Sequence, residues 1–279
     1  MIQIPARVLN DGHALPAIGF GTYPLGGPEG VEAMVGALRQ GYRLIDSAVN
    51  YENEGAVGEA IRRAGVPREE IVVTSKLPGR HHAYAEARTC VHESLYRMRL
   101  DQIDLYLIHW PNPSVDRYVE AWQALVDLQR DGVLRSIGVS NFLPDHLDRI
   151  IAETGVTPAV NQVELHPYFP QERQRAVDAE RGILTESWSP LGRAEEIMHD
   201  QVLAGIAQAH GRTPAQVVLR WQLQLGNVPL PKAASASRQL ENLTVFDFEL
   251  DAEQMASIAA LGRTDGRLFD ADPATHEEF

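Results

Sequence analysis

The chain has 279 residues, 44% of them hydrophobic and 23% charged, the make-up of a folded soluble protein and not of a disordered one. A formal net charge of -13 argues against nucleic acid or an anionic membrane as partner, because polyanions are gripped by clustered Lys and Arg, so a small molecule is the expected ligand. No apolar run is long enough to span a membrane, Met1-Ile2-Gln3-Ile4-Pro5 does not read as a secretory leader, and the single Cys90 rules out an internal disulfide or thiolate metal cluster, so a cytoplasmic location is expected.

In chain order, Leu9-Asn10-Asp11-Gly12-His13 carries a tight-hairpin signal. Eight runs that read as buried strands follow: Ala17 to Gly21, Arg43 to Ala48, Ile71 to Lys76, Asp104 to Trp110, Arg135 to Asn141, Ala159 to Leu165, Ile183 to Ser189 and Val228 to Lys232. Between them lie stretches with apolar residues at helical spacing, such as Val31, Met34, Val35, Leu38 and Val119, Trp122, Leu125, Val126. Cys90 falls in one of these stretches and reads as a small buried helix residue. Gly41, Gly65, Gly132, Gly155 and Gly182 stand where helices need a left-handed cap, and Thr213-Pro214-Ala215-Gln216 has the form of a capping box. The longer step before the last run leaves room for an extra helix near His199 to His210.

Most runs start 24 to 33 residues after the previous one, the size of a strand plus a crossover helix. Eight such units predict an α/β fold, a (β/α)8 TIM barrel over residues 1–279 as one domain, with the hairpin plugging its floor. A doubly wound nucleotide fold is disfavoured because Pro24 in Gly19-Phe20-Gly21-Thr22-Tyr23-Pro24 stands where the third Gly of its fingerprint is needed.

Chemistry in such barrels sits at the carboxyl ends of the strands, which supply Asp46 with Ser47, Lys76, His109 with Trp110, Ser140 with Asn141, Gln162 with Glu164, Ser187 with Ser189, and Lys232. A charge inside an apolar run is costly unless paired, so Asp46 and Lys76, ending neighbouring runs, read as an ion pair. Tyr51 follows Asp46 by one short turn, and a nearby ammonium would lower the phenol from its usual pKa of about 10. His109 can donate a hydrogen bond to the same substrate oxygen. Taken singly, Asp46, Lys76 and His109 each read equally well as a packing or structural residue and Tyr51 more readily as packing; their convergence at three successive strand ends favours a site.

With GFGTY at 19 to 23, GYRLIDSAVNYENEGAVGEAI at 41 to 61, VTSK at 73 to 76, LDQIDLYLIHWP at 100 to 111, GVLRSIGVSNF at 132 to 142, NQVELHP at 161 to 167, SWSPLG at 187 to 192 and VFDFEL at 245 to 250, the sequence resembles the aldo-keto reductase superfamily over nearly its whole length, and within it the bacterial diketogluconate reductases. The resemblance implies hydride transfer from NADPH to a carbonyl carbon, with Tyr51 as proton donor, Lys76 and Asp46 as its activators, and His109 orienting the carbonyl. It implies that Ser140, Asn141 and Gln162 hold the nicotinamide carboxamide while Trp188 stacks on the ring. Gly21, Thr22, Asp46, Ser189 and Leu191 would complete the cofactor wall. Lys232, Ala233 and Arg238 fall where the 2′-phosphate of NADP is gripped, and Glu241 and Asn242 where adenine is contacted. Tyr23 and Trp110, with Tyr51 and His109, would line the substrate pocket, joined by Leu25, Leu268 and Phe269. A monomer is expected, and no metal.

Two departures bear on this. Ala233 replaces a common Ser and removes a hydroxyl from the phosphate site, narrowing the expected preference for NADPH over NADH. Leu77-Pro78-Gly79 lacks the Trp that relatives often carry there, and the tail after Leu261 is short, so an open pocket and broad specificity are expected. The competing readings are a nucleotide-binding redox sensor without turnover, and a barrel hydrolase using Asp46, Glu164 or Glu186 as paired carboxylates or His109 and His166 as metal ligands; no His-Glu-x-x-His helix supports the latter.

Overall fold

The computed structural model describes residues 2–194 and 196–279. The hairpin signal becomes β1 (Ala6–Val8) paired antiparallel with β2 (Ala14–Pro16), and Gly12 supplies the positive φ its turn requires. Each of the eight expected runs overlaps one strand of an all-parallel sheet: β3 (Phe20–Gly21), β4 (Leu44–Asp46), β5 (Val72–Leu77), β6 (Ile103–Ile108), β7 (Leu134–Ser140), β8 (Val160–Glu164), β9 (Leu184–Trp188) and β10 (Val228–Pro229), adjacent in space in that order.

The first and last strands are shorter than their runs because prolines limit the ladder. Pro229 and Pro231 have no N–H to donate, yet their carbonyls accept from Gly19 N at 3.0 Å and Gly21 N at 3.1 Å, which closes the sheet into a barrel. A Cβ at Gly19 would collide with the side chains of Leu44 and Leu230, so the seam requires glycine there. Leu9 and Leu15 of the hairpin pack with Leu44, Leu105, Leu107, Val160, Val228 and Leu230, filling the barrel from below.

Outside lie α1 (Gly27–Gln40), α2 (Glu54–Ala64), α3 (Tyr84–Met98), α4 (Tyr118–Arg130), α5 (Pro144–Thr154), α6 (Glu172–Glu180), α7 (Gln201–His210), α8 (Pro214–Gln224), α9 (Ala236–Leu243) and α10 (Ala252–Ala259). The extra helix is α7, whose first turn is held by the Asp200 carboxylate accepting from Val202 N at 2.8 Å and Leu203 N at 3.2 Å. The capping box forms reciprocally, Gln216 N donating to Thr213 Oγ1 at 3.3 Å and Thr213 N to Gln216 Oε1 at 3.1 Å. On α4 the periodic residues Trp122, Leu125 and Val126 are buried against the barrel, and truncating a residue such as Trp122 to Ala would cost about 3–5 kcal/mol. Cys90 is buried on α3, and burial pushes its thiol up to about 11, so it is no nucleophile at neutral pH.

The tail differs from expectation. After α10 it turns back over the carboxyl ends of the strands instead of leaving them open. Arg263 N donates to Tyr168 O at 3.0 Å and Leu268 N to the Glu164 carboxylate at 2.6 Å. A Cβ at Gly266 would collide with the Tyr168 backbone, so glycine permits this close crossing.

Candidate active site

Asp46 is the last residue of β4, Lys76 the penultimate residue of β5, and His109 follows β6 directly. Tyr51 closes a single 3-10 turn (Val49–Tyr51) after β4, ended by Glu52 in the left-handed region. The loop carrying it is tied inward by Asn53: its side chain accepts from Ser47 Oγ at 2.6 Å and donates to Leu25 O at 2.8 Å and Thr22 Oγ1 at 3.1 Å. Thus the loops after β3 and β4 are locked to each other before any ligand arrives.

Lys76 has no exposed surface, and its Nζ donates to both oxygens of Asp46, at 2.7 and 2.8 Å, and to Ser47 O at 2.8 Å. Tyr51 Oη lies 3.4 Å from the same nitrogen. Burial works against the Lys76 ammonium, but Asp46 and Tyr51 outweigh it and hold its pKa above the ordinary lysine value. Tyr51 does not follow the expected lowering: burial raises the phenol by more than Lys76 lowers it, so it keeps its proton at neutral pH.

Asp46 Oδ1 also accepts from Gln162 Nε2 at 2.9 Å, and that amide donates at 2.9 Å to Glu186 Oε2. Burial, reinforced by Asp46, pushes Glu186 up to about 8, so this second carboxyl is protonated at neutral pH. With both Gln162 amide hydrogens committed to carboxyl groups, its carbonyl oxygen is left to accept from a ligand.

Asn141 Nδ2 donates to His109 O and to Ser140 Oγ, both at 3.0 Å, and its Oδ1 accepts from Trp188 Nε1 at 2.8 Å. The His109 ring stands edge-on to Tyr51 with centroids 5.8 Å apart, and Tyr23 lies 5.1 Å from Tyr51. Asn141 and Ser189 both take positive φ where they leave β7 and β9. Asn tolerates that conformation, whereas Ser adopts it at a cost.

These groups open on a cavity of about 730 Å³. Of the residues singled out from sequence, Gly21, Thr22, Tyr23, Asp46, Tyr51, His109, Trp110, Asn141, Gln162, Trp188, Ser189, Leu191, Lys232, Arg238 and Phe269 line it. The others lie off its wall. Lys76 and Ser140 are buried behind it, the latter donating to Gln162 O at 2.8 Å, and Ala233 is buried with its carbonyl accepting from Gln239 Nε2 at 3.1 Å. Glu241 accepts from Thr213 Oγ1 at 2.7 Å on the α8 side of α9, Asn242 is buried against Tyr42, Leu25 is half-buried beside Asn53, and Leu268 is tied to Glu164. Glu164 and His166, two of the hydrolase candidates, are buried together at 3.0 Å.

Sequence reasoning missed Asn53, the neutral state of Glu186, and Arg193, whose guanidinium lies 3.8 Å over the Phe269 ring at the cavity mouth. One compositional signal would have singled out two of the candidate cations at once. The chain has 23 arginines and only two lysines, and those two are Lys76 and Lys232.

The family model of the Aldo/keto reductase family matches residues 17–263. Among characterised relatives, 2,5-diketo-D-gluconic acid reductase B of Corynebacterium sp. is 56% identical over 279 residues, covering 100% of both chains. Methylglyoxal reductase DkgA of Escherichia coli is 45% identical over 266 residues, covering 95% of each. Among solved structures, a substituted form of Gox0644 in complex with NADPH superposes with a TM-score of 0.94 at 42% identity over 99% of each chain. An aldo-keto reductase of Bombyx mori in complex with NADP does so with a TM-score of 0.88 at 34% identity, over 94% of each. The buried Asp46–Lys76 pair beside Tyr51 thus stands in a chain that belongs to the aldo/keto reductase family, a family of NAD(P)-dependent oxidoreductases.

Proposed function

We propose that this chain is an NADPH-dependent reductase of small aldehydes, ketones or diketo-sugar acids, with Tyr51 as general acid assisted by Lys76, Asp46 and His109. The observation carrying the proposal is a wholly buried ammonium, ion-paired to Asp46 and 3.4 Å from a phenol that opens on a large cavity. A neutral phenol next to a fixed cation is a proton source whose conjugate base is stabilised at once.

The cofactor fits the residues present. Lys232 and Arg238 are exposed on the cavity wall, with no carboxylate ion-paired to either among the described residues, which suits an anion such as a phosphate. Ser235 and Ser237 expose hydroxyls beside them at the start of α9, so Ala233, buried off the wall, does not leave that corner without hydroxyl donors. Bound NADPH supplies the hydride, from C4 of its nicotinamide.

The chain's own residues do the rest. Asn141 and Gln162 orient the carboxamide, and Trp188 presents an aromatic face beside them. His109 orients the carbonyl oxygen, and Tyr51 Oη holds the proton that this oxygen takes up. Lys76 steadies the phenolate left behind, and Asp46 fixes Lys76. The names of the relatives, reductases of a diketogluconic acid and of methylglyoxal, support dicarbonyl compounds as the first class to try.

Purified protein mixed with NADPH and a panel of aldehydes, ketones and dicarbonyls is expected to consume NADPH absorbance, and Tyr51→Phe to lose about 10²–10⁴ of that rate with NADPH affinity unchanged. Full activity in the Phe variant would remove Tyr51 from the role. Binding without turnover on any substrate would favour the redox sensor.

A further inference from the structure

The tail brings a carboxylate into the site that the proposed mechanism does not use. Glu278 Oε1 lies 2.7 Å from His109 Nδ1, and both side chains are mostly buried, at 13% and 12% exposure. The two atoms are in close contact, although Nδ1 makes no aligned hydrogen bond.

Its surroundings show that the carboxylate is seated rather than passing. Loops after three successive strands hold it. From the loop after β4, Asn50 Nδ2 donates to Glu278 Oε1 at 2.8 Å. From the loop after β5 comes Gly79, where a Cβ would collide with Glu278 O and the Asn112 side chain. From the loop after β6, Asn112 Nδ2 donates to Glu278 O at 2.6 Å and Asn112 Oδ1 accepts from Glu278 N at 3.2 Å, so one amide clamps the backbone from both sides. The adjoining residues are held too: Ser114 N donates to the Glu277 carboxylate at 2.7 Å, and the His276 ring lies 4.3 Å from that of Trp110.

Among the described residues the hydrogen bonds from the rest of the barrel to His109 are at its backbone, its N–H donating to Leu77 O at 2.9 Å and its carbonyl accepting from Asn141 Nδ2 at 3.0 Å, while its ring stands edge-on to Tyr51. Glu278 is the acidic group at its Nδ1 edge, and that nitrogen makes no hydrogen bond among the described residues.

We propose that Glu278 is a positioning residue for the reduction: by holding the Nδ1 edge of His109 it turns the opposite ring edge toward the carbonyl oxygen, making the tail a working part of the catalytic site. This rests on the assignment of His109 to that oxygen. Gly79 belongs to the same arrangement, since a bulky residue there would occupy the space the Glu278 backbone takes. Although burial opposes it, the neighbouring His109 ring and the hydrogen bonds around it keep the Glu278 carboxyl below the ordinary glutamate range, so the group stays ionised at working pH.

The test is a double-mutant cycle on kcat with Glu278→Gln, His109→Gln and the pair, using an uncharged aldehyde and NADPH. Gln keeps the size of Glu and an oxygen for Asn50, and loses the charge. Glu278→Gln is expected to lower kcat about tenfold in the native background and by less than about twofold where His109 is already Gln, because the residue acts through that ring. NADPH affinity, set across the cavity by Lys232 and Arg238, should not move. Equal losses in both backgrounds, or no loss in the native one, overturn the inference while leaving His109 in place. If His109→Gln itself leaves kcat untouched, the assignment beneath the inference has failed instead, and the inference with it.

Discussion

The two cationic corners of the cavity are built on opposite principles. At one, Lys76 is wholly buried and its hydrogens go to Asp46, Ser47 O and Tyr51 Oη, all groups of the protein itself. At the other, Lys232 and Arg238 stand exposed on the wall with no carboxylate paired to them among the described residues. A charge that must be in place during a reaction is neutralised by the protein, since reorganising it in the transition state would cost rate. A charge meant to neutralise a ligand's phosphate is left free, since an internal partner would have to be displaced first.

The severest way to break this contrast is Lys76→Met. Stranding the Asp46 carboxylate in the interior is expected to cost about 3–5 kcal/mol of stability, seen as a lowered Tm, and to remove most turnover as well. A Met variant that kept both would mean the pair is not what supports Tyr51. Next in size is Arg238→Ala, which should weaken NADPH about 10-fold or more, the worth of one charge-assisted bond, while leaving NADH nearly unchanged. Binding titrations of both cofactors check it, and parallel losses would move Arg238 away from the phosphate. The mildest change is Glu186→Gln. Glu186 titrates at about 8 in the folded chain against about 4.3 unfolded, so between those values the folded state holds a proton the unfolded state lacks and stability falls as pH rises. In the unit below pH 8 the native chain should lose up to about 1.4 kcal/mol that the Gln variant, which cannot ionise, keeps. Denaturant midpoints at several pH values would show the flatter curve, and identical slopes would place the ionisation elsewhere.

The buried corner was far more legible in the sequence than the tail, and the reason is physical. Strands covered on both faces must be apolar throughout, so Asp46, Lys76 and His109 stand out as interruptions whose cost demands a shared explanation. The eight runs were visible for the same cause, and their ends differed most where the ladder stops early, at β3, β4 and β10. Resemblance supplied what the pattern lacked, since Tyr51 sits on one turn of helix with no periodicity of its own. The tail offers neither signal. Its seat consists of single polar contacts such as Asn112 with Glu278, 166 residues apart, and nothing in local composition announces such a pairing. The loss of a Trp after Leu77 was readable, but its consequence, room for the tail at Gly79, was not. Glu186 was visible only as an acid inside β9; that it is neutral depends on Asp46 and Gln162 arriving from other strands.

The scarcity of lysine has a consequence beyond the binding of phosphate. Simple aldehydes and ketones, unlike α-dicarbonyls, condense with amines and not with guanidinium groups, so a surface poor in lysine gives them few places to form adducts. This chain meets its need for positive charge almost wholly with guanidinium groups, and of its two side-chain amines one is sealed in the barrel with no exposed surface. Lys232 is then the one lysine that such a compound can reach, and a cofactor seated on it would shield even that amine while the enzyme is loaded.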